Sequence, residues 1–420
     1  MEKKVALVAV GSRGDVQPMV MLGLGLKSAG YDPTIIAGSD FEDWIGSFGL
    51  NYKSLGINMQ EIMNSEIGLN WANTGGNPLG SLKSMKQLLK LYGRSIRDSI
   101  WEVGQHSDVI ISNFLTDSLA MMVAETHDVV HIMIMLQPLM PTKHGKSHMN
   151  PVIQGSSVIN TVATNIVIGV LWNQLFGGYA NGVRQEVGLP KLSSYEYIKR
   201  FKQTPCILAF SPNVVIPADD WHENTYQTGH LFMEDEPNWQ APDDLLAFIH
   251  AGEAPIYLGF GSMSAIDPQV TLDMMVMAIA DTGQRAIIHS GWAGLSTDRQ
   301  SDHIYFLDNA PHAWLFPKMK AIVHHGGAGT TATSLRAGVP TFIIPHLGDQ
   351  VYWGLRISQL GVGPKAVPRP KLTRTKLADG IRQMVEDTNM RSAANQLGRA
   401  IRQEDGVQKT IQAVKDILGD

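Results

Sequence analysis

Residues 321–350 read AIVHHGGAGTTATSLRAGVPTFIIPHLGDQ, and this stretch places two apolar runs on either side of a glycine-rich turn and a helix-like segment. The run 321–323 is typical of a buried strand, 332–337 of a helix, and 341–344 of a second strand that follows Gly338 and Pro340. The order strand, turn, helix, strand predicts one βαβ unit of a parallel sheet, and therefore an α/β fold.

The turn inside this unit has the composition of an anion-binding site. Its glycines at 326, 327 and 329 allow backbone N–H groups to approach a phosphate closely, and the following helix adds the positive end of its dipole. Thr330 offers a hydroxyl, and His325 offers either a hydrogen-bond donor or a positive charge. A tight strand-to-helix turn that binds no ligand is the alternative interpretation.

Polar residues follow the second strand of the unit. Asp349 and Gln350 come beyond its carboxyl end, where open α/β sheets bind ligands. A carboxylate and an amide suit sugar hydroxyl groups, which both donate and accept hydrogen bonds. These surroundings favour ligand binding over a plain turn.

The pattern HHGGAGTT…AGVP…P…GDQ resembles the donor-binding motif of nucleotide-sugar glycosyltransferases with two Rossmann-like domains, the GT-B type. Within that type it is most similar to the sterol 3-beta-glucosyltransferases and to bacterial enzymes that glycosylate antibiotics. The resemblance spans most of the chain, because other matching segments occur in the family's order. They are GSRGDVQP (11–18), PNWQAPDDLLAFI (237–249), PIYLGFGSM (255–263), SGWAGL (290–295) and PHAWLFPKMKAIVHHGGAGTT (311–331).

The resemblance implies two Rossmann-like domains facing each other across a cleft, with a C-terminal helix that crosses back to the N-terminal domain. We expect an acceptor-binding domain at 1–233, a linker at 234–244 and a nucleotide-sugar-binding domain at 245–420. The linker is assigned there because the chain is polar, lacks periodicity and contains prolines and acidic residues.

Length and composition agree with a globular protein of two domains. A chain of 420 residues exceeds one ordinary core, and 44% apolar with 17% charged residues excludes a disordered chain. A net charge of −5 gives no reason to expect nucleic acid as a partner. With Cys206 as its one cysteine, the chain cannot form an internal disulfide.

No signal peptide is expected, since the first apolar run is short and no small-residue cleavage site follows it. The most apolar later stretch, 158–176, is interrupted by asparagine and threonine residues, so a membrane span is not expected either. These features predict a cytoplasmic protein, with peripheral contact to a membrane as an additional option.

The motif GSRGDVQP lies between a predicted strand at 4–10 and a predicted helix at 19–29. It lacks the G-x-G-x-x-G spacing of dinucleotide-binding domains, which argues against a dehydrogenase. In the sterol and antibiotic enzymes the aspartate of this motif is the general base, so the resemblance assigns that role to Asp15 and places Ser12 and Arg13 beside the donor. From position alone, a helix N-cap is the favoured explanation of Asp15, and the match of all eight residues reverses that preference. Arg13 has a solvated turn residue as its alternative.

Two further loops are candidate parts of the donor site. Ser262 follows a predicted strand at 255–259 and would lie near a phosphate, unless its turn is purely structural. In the family, the loop after the strand at 304–307 holds the nucleotide base and ribose, which implies roles for the backbone at Ala310 and the side chain of His312. Asn309 stands near the place where plant small-molecule enzymes have a tryptophan, a departure that the sterol-type enzymes roughly share.

Two long segments of the N-terminal half, 58–80 and 138–178, are rich in methionine, tryptophan, glycine and asparagine. The resemblance implies that such segments form the acceptor pocket, and their composition suits an adaptable apolar pocket. The candidate lining residues are Met63, Trp71, Met140, Met149, Trp172 and Phe176, with ordinary core packing as the alternative. His144 and His148 lack metal-ligand spacing, so neither a metal nor another cofactor is expected.

The sequence therefore predicts an inverting glycosyltransferase that moves a hexose, with UDP-glucose as the expected donor, to a hydroxyl of a hydrophobic acceptor such as a sterol or polycyclic aglycone. Asp15 would take the acceptor proton. His325, the amides around Ala328 and Gly329, and Thr330 would stabilise the leaving diphosphate. The alternatives are a dTDP- or UDP-sugar-dependent enzyme acting on macrolides, glycopeptides or lipids, a nucleotide-sugar epimerase of the same fold, and a sugar-nucleotide binding protein without catalysis.

Overall fold

Short apolar strands alternate with helices along the chain, and in the computed structural model these strands form two separate parallel sheets. The structure describes residues 2–72, 78–149, 155–234, 236, 239–260, 268–289, 301–346 and 348–420. The chain divides into two compact units. The first consists of Met1–Gly68, Leu79–Phe232 and Glu404–Asp420, and the second of Leu69–Pro78 and Met233–Gln403.

The first unit is built on a sheet of seven parallel strands in the order β3-β2-β1-β4-β5-β6-β7. Its strands are β1 (Lys4–Val8), β2 (Asp32–Ala37), β3 (Asn51–Ser54), β4 (Val109–Ser112), β5 (Val130–Met135), β6 (Cys206–Leu208) and β7 (Thr225–Gln227). The strand order changes direction between β1 and β4, as in doubly wound Rossmann-like sheets, whose ligands bind beyond the carboxyl ends at that point.

The helices of the N-terminal half are connected in sequence with these strands. They are α1 (Arg13–Ser28), α2 (Glu42–Gly46), α3 (Met59–Asn64), α4 (Glu66–Ala72), α5 (Pro78–Gly104), α6 (Asp117–His127), α7 (Ser157–Leu171), α8 (Gly177–Glu186) and α9 (Ser194–Gln203). A π-helical turn, Trp172–Phe176, joins α7 directly to α8, and short 3-10 turns occupy Ser39–Phe41 and Gly145–Ser147.

The second unit contains a sheet of five parallel strands in the order β10-β9-β8-β11-β12. Its strands are β8 (Ile256–Gly259), β9 (Ala286–His289), β10 (Ile304–Leu307), β11 (Ala321–His324) and β12 (Thr341–Ile343). Its helices are α10 (Asp243–His250), α11 (Pro268–Thr282), α12 (His312–Leu315), α13 (Ala328–Ala337), α14 (Gln350–Gln359), α15 (Arg374–Glu386) and α16 (Thr388–Arg402), with 3-10 turns at Phe316–Lys318 and Arg369–Lys371.

Both faces of this second sheet are buried, because successive residues of each strand pack in opposite directions. On β8, Ile256 and Leu258 belong to one apolar cluster and Tyr257 to the cluster on the other face. On β11, Val323 belongs to the first of these clusters and Ile322 to the second. The predicted class, α/β with two Rossmann-like domains, is confirmed.

The helix of the central βαβ unit begins earlier than the sequence pattern suggests. α13 starts at Ala328, inside the glycine-rich run, and Gly327 is its N-cap with φ −58° and ψ 143°. Within the run only Gly326 has a left-handed backbone, with φ 96°. The residues after Gly327 therefore adopt helical geometry, which brings the helix N-terminus directly against the end of β11.

The last helix, α17 (Gly406–Leu418), belongs to the first unit and packs along α1. Gly25 of α1 provides the space, since a Cβ there would come within 2.7 Å of side-chain atoms of both Ile411 and Val407. A second contact of α17 is with the residue after β7, where the Thr410 hydroxyl donates to Thr228 Oγ1 at 2.8 Å. The predicted return of the C-terminal helix is thereby confirmed.

The core of the first unit contains a buried carboxyl group, Asp117, beside a buried imidazole, His131. The Tyr197 hydroxyl donates to Asp117 Oδ2 at 2.8 Å, and Ser112 Oγ lies 2.9 Å from His131 Nε2. Burial raises the pKa of Asp117 to about 7 and lowers the pKa of His131 to about 4. Both groups are therefore neutral in mildly acidic solution.

We expect Asp117→Asn to change the pH dependence of stability. Between about pH 4 and 7 the folded state keeps a proton on Asp117 that the unfolded chain has released, so the free energy of unfolding falls as pH rises. His131 acts oppositely between about pH 4 and 6.5, because there only the unfolded chain binds its proton. Asparagine still accepts the Tyr197 hydrogen bond and removes the Asp117 contribution alone. The free energy of unfolding of the variant minus that of the parent, measured by urea unfolding, should therefore increase by on the order of 1–4 kcal/mol from about pH 5 to pH 8. Parallel pH profiles for the two proteins would contradict this assignment.

Candidate functional site

The turn between β11 and α13 is shaped by one residue in the left-handed region. A Cβ at Gly326 would come 2.6 Å from Ile343 Cγ2 of the neighbouring strand, so both its φ and its packing require glycine. The first amides of α13 have no acceptor one turn earlier in the helix, because a helix N-terminus leaves them unpaired. The backbone N–H groups of Ala328, Gly329 and Thr330 lie in this first turn of α13.

His324, which the sequence analysis did not single out, holds this turn in place. It is fully buried, its Nδ1 accepts the Gly326 N–H at 2.9 Å, and its Nε2 lies 3.5 Å from Ser334 Oγ on α13. Burial, with repulsion from His325 and His312, keeps the pKa of His324 well below its ordinary value. The neutral ring therefore acts as an acceptor toward the turn and a donor toward α13. The sequence feature that could have identified His324 is a histidine at the end of an apolar strand.

His325, the residue predicted to donate to the anion, lies over the turn. Its Nε2 would be 2.7 Å from a Cβ on Gly327, and its buried Nδ1 has no hydrogen-bond partner among the described residues. Burial, with a smaller effect of His346, lowers the pKa of His325 to about 3, although part of the ring remains exposed. In the ligand-free protein burial favours the neutral form of the ring, and the contact of His325 with an anion stays a prediction.

Asp349 and Gln350 form the start of α14, beyond the carboxyl end of β12. Asp349 is the N-cap, and its Oδ2 accepts the indole N–H of the buried Trp353 at 3.0 Å. The Gln350 side-chain oxygen accepts the backbone N–H of His346 at 2.7 Å. Both side chains therefore organise the loop in addition to any contact with a sugar.

The predicted base-binding loop lies at the carboxyl end of β10. Ala310 is buried, and His312 begins α12. The His312 ring stacks on Phe316 with a 4.4 Å centroid separation, and its Nε2 lies 3.2 Å from the Tyr257 hydroxyl. This hydroxyl is held in its protonated form, since burial raises the pKa of Tyr257 well above its ordinary value. Ser262, the remaining predicted donor contact, lies outside the described residues.

Arg369 is a cation at the same sheet edge that the sequence analysis missed. Its backbone N–H donates to Pro345 O at 2.9 Å, which ties it to the loop after β12, and its guanidinium donates to Thr271 Oγ1. Its charge helps to lower the pKa of His346, after the larger effect of burial. Among the described residues no carboxylate forms an ion pair with it. Its position between two prolines in a polar stretch offered no recognisable signal.

In the first unit, Asp15 lies at the start of α1. Ser12 is the N-cap, and Asp15, three residues later, accepts the Ser12 backbone N–H at 2.9 Å and its hydroxyl at 3.4 Å with Oδ2. This is the acidic half of a capping box, so the alternative of Asp15 as the N-cap itself is corrected. A Cβ at Gly11 would come 2.1 Å from the same oxygen, so glycine there, with φ 142°, leaves room for the carboxylate.

Arg13 is oriented by its neighbours on the same unit. Its guanidinium lies 4.7 Å from the centroid of the Trp44 ring, and its Nε donates to Gln17 Oε1 at 3.4 Å. The fully solvated alternative is therefore wrong, while contact of Ser12 and Arg13 with a donor stays a prediction.

The predicted acceptor residues separate into two groups. Met140, Trp172 and Phe176 are buried, and Trp172 stacks on Tyr197 with ring centroids 4.0 Å apart. For this group the core-packing alternative accounts for the observed contacts. The others, Met63, Trp71 and Met149, are half-buried, and Trp71 falls in the segment grouped with the second unit.

His144 belongs to a small acidic group on the surface of the first unit. With Asp219 and Asp220 it offers ligand atoms within 4.8 Å of one another. Its Nε2 lies 2.7 Å from Asp219 Oδ1, which also pairs with Lys143 Nζ at 2.9 Å. Asp219 thus has protein partners in this group, and the expectation that no metal binds stays a prediction.

Two family models match the chain. Residues 5–149 match the glycosyltransferase family 28 N-terminal domain, and residues 297–414 match the C-terminal domain of proteins like erythromycin biosynthesis protein CIII. The first match includes the motif around Asp15, and the second includes the α13 turn and the start of α14.

Curated relatives match over almost the whole chain. Two sterol 3-beta-glucosyltransferases of Arabidopsis thaliana are each 30% identical over 98% of this chain, covering 65% and 67% of their own lengths. A sterol 3-beta-glucosyltransferase of Kluyveromyces lactis is 28% identical over 99% of this chain and 35% of its own length. The chain thus spans about two thirds or less of these relatives.

Solved structures show the same architecture at low identity. The kitacinnamycin glycotransferase superposes with a TM-score of 0.72 at 15% identity, covering 99% of both chains. The calicheamicin glycosyltransferase CalG4 superposes with a TM-score of 0.71 at 16% identity, covering 100% of this chain and 98% of the other. These likenesses confirm the predicted GT-B fold.

Proposed function

Because the chain belongs to the glycosyltransferase family that includes the sterol 3-beta-glucosyltransferases, we propose that it transfers a hexose from a nucleotide sugar to a hydroxyl of a hydrophobic alcohol. UDP-glucose is the proposed donor and a sterol the proposed acceptor. The observation that carries the proposal is the α13 turn. There the first helix amides, the helix dipole and a His325 nitrogen that has no hydrogen-bond partner among the described residues lie at one sheet edge.

The diphosphate of the donor is proposed to bind at this turn. The amides of Ala328 and Gly329, with the Thr330 hydroxyl, supply donors, and neutral His325 supplies one more through an N–H. Burial lowers the pKa of His325 to about 3 in the ligand-free protein, so Arg369 is proposed to supply a fixed positive charge at this edge. With these groups stabilising the leaving diphosphate, the proposed reaction uses no metal.

The transfer step is proposed to invert the anomeric carbon. The acceptor oxygen forms a bond to that carbon, the bond from the carbon to the diphosphate oxygen breaks, and the hydroxyl proton passes to Asp15. The hydrogen bonds from Ser12 fix the orientation of the carboxylate. Asp349 and Gln350 are proposed to bind sugar hydroxyls.

A deoxythymidine-diphosphate sugar and a natural-product acceptor form the second candidate. It is favoured by the match of residues 297–414 to an antibiotic-biosynthesis model and by likeness to the glycosyltransferase VinC, whose structure is in complex with dTDP. The two candidates share the α13 turn and differ in the base and acceptor.

Donor and acceptor are tested together by mass spectrometry. The protein is incubated with UDP-glucose or dTDP-glucose, with a chelator present, against a panel of sterols, macrolides, phenolics and lipids. Sterol-dependent release of UDP supports the first candidate. Epimerisation without acceptor, or absence of any turnover, overturns the proposal of glycosyl transfer.

We expect His325→Ala to weaken UDP binding by about 1.5–3 kcal/mol, because a hydrogen bond to a charged phosphate is lost. Isothermal titration calorimetry with UDP measures the change. His303→Ala, at an exposed position of the same unit, is the matched control and should leave the affinity unchanged. Equal affinity in the His325→Ala variant would remove His325 from the diphosphate site.

A further inference from the structure

Helix α7 carries a stripe of aliphatic side chains that face solvent. Their spacing of one, three, four and four residues keeps them on one side of the helix. The exposed fractions are 69% for Val158, 52% for Ile159, 53% for Val162, 56% for Ile166 and 44% for Val170. Exposed apolar patches of this kind mark interaction surfaces.

The helical stretch Ser157–Glu186, of which α7 is the first part, is long and apolar enough to cross a membrane by length and composition, yet only 33% of its most apolar window is buried. A core helix is therefore not the explanation for its hydropathy. Its later part is fixed in the first unit, where Arg184 on α8 donates to both oxygens of Glu125 at 2.7 and 2.9 Å. Only α7 therefore presents an apolar surface. A helix of this kind suits contact with the surface of a membrane and not a transmembrane position.

The chemistry of the stripe indicates what covers it. The described residues from Gly155 to Val183 include no aspartate, glutamate, lysine or arginine. Beyond its first residue, Ser157, the exposed side chains on α7 are aliphatic. Protein interfaces are enriched in aromatic residues and arginine at their centres, and the stripe has neither. A charge-free aliphatic ridge matches hydrocarbon.

The margins of α7 suit the polar zone of a bilayer. The helix side chains next to the stripe include hydroxyl and amide groups at Thr161 and Asn165. The Asn160 side chain donates to Lys143 O at 2.9 Å, which holds the turn Gly145–Ser147, with its exposed Lys146, beside the start of the helix. Polar groups and a lysine at this level face headgroup phosphates favourably.

We propose that the α7 stripe is a membrane-docking surface that enters the outer part of a lipid bilayer while the rest of the first unit stays outside it. The stripe acts through hydrocarbon contact, so zwitterionic lipid suffices and anionic lipid adds a modest increase through Lys146. The proposal concerns a surface and holds for any acceptor. It also gives the first unit access to alcohols that reside in membranes.

Flotation with phosphatidylcholine vesicles, and with mixed phosphatidylcholine and phosphatidylserine vesicles, tests the proposal on the full chain. The parent should float with both. Val162→Lys combined with Ile166→Lys should reduce the partition coefficient by at least about 10-fold, because two aliphatic groups no longer enter hydrocarbon. The matched control, Val270→Lys with Met277→Lys, changes two exposed apolar residues of α11 in the second unit and should float like the parent.

Failure of the parent to float, or equal flotation of the parent and the α7 variant, would overturn the proposal. The rival occupant of the stripe is a second copy of the chain, which light scattering detects. In that case the parent is dimeric and does not float, and the α7 variant is monomeric. Near-ultraviolet circular dichroism establishes that each variant is folded. The affinity for UDP, measured by calorimetry, should be unchanged in the α7 variant, because UDP is proposed to bind at the α13 turn. Loss of docking and failure of the proposed donor binding are therefore distinguished.

Discussion

Asparagine in place of Asp15 is expected to lower kcat for glycosyl transfer by about 10²–10⁴-fold while leaving the fold and the affinity for UDP intact. An alcohol is too weak an acid to ionise at neutral pH, so a carboxylate that accepts its proton in the transition state contributes an effect of that size. The amide oxygen of asparagine can still accept the Ser12 N–H that Asp15 accepts at 2.9 Å, so the start of α1 keeps its hydrogen bond. The substitution therefore separates catalysis from helix capping.

The matched control for Asp15 is Asp387→Asn. Asp387 caps α16 by accepting the Met390 N–H at 3.0 Å, and it has no proposed contact with substrate. Its variant should retain the parent kcat in an assay of acceptor-dependent UDP release. An Asp15→Asn enzyme that keeps more than about a tenth of the parent rate would place the general base elsewhere.

Alanine in place of Asp349 is expected to lower kcat/KM for the nucleotide sugar by roughly 10–100-fold, with little change in the dissociation constant for UDP. The expected size follows from losing a charge-assisted hydrogen bond to a sugar hydroxyl, worth about 1.5–3 kcal/mol. UDP lacks the sugar, so its binding should not depend on this carboxylate. Steady-state kinetics with UDP-glucose and calorimetry with UDP provide the two measurements.

Asp349 also supports Trp353, and this second role needs its own control. The Asp349 carboxylate accepts the buried indole N–H at 3.0 Å, so the alanine variant should also lose about 1–3 kcal/mol of stability. Trp353→Phe removes that hydrogen bond and retains the sugar-binding carboxylate. If Trp353→Phe reproduces the kinetic loss, or if UDP and UDP-glucose weaken equally in Asp349→Ala, the residue shapes the loop and does not bind the sugar.

The fold could be predicted from the sequence because its strands are apolar runs followed by recognisable turns. The stretch 321–350 contains both the strand periodicity and the glycine at 326 that its turn requires, so β11, α13 and β12 were expected in this order. The helix start could not be located, since a glycine-rich run has weak intrinsic preference for any conformation. The N-cap geometry of Gly327 decides it.

Candidate site residues were predictable where a motif names them and not where only packing does. His325 and Asp349 occur in motifs, but the neutral state of His325 depends on burial that no local pattern encodes. His324 acts through a hydrogen bond to Gly326 N–H, and Arg369 through its position beside the loop after β12. Trp172 was a candidate pocket residue and is buried, because the sequence alone does not distinguish an aromatic residue of the core from one that lines a pocket.

The return of α17 to α1 sets an order of events for the growing chain. Residues up to Phe232 leave the ribosome without the helix that covers Gly25 of α1, and all of Met233–Gln403 must be made before that helix appears. At roughly 5–20 residues per second, this interval lasts on the order of ten seconds or more. During that time the apolar surface along α1 that α17 covers stays open, so this part of the first unit is completed only once α17 has been made.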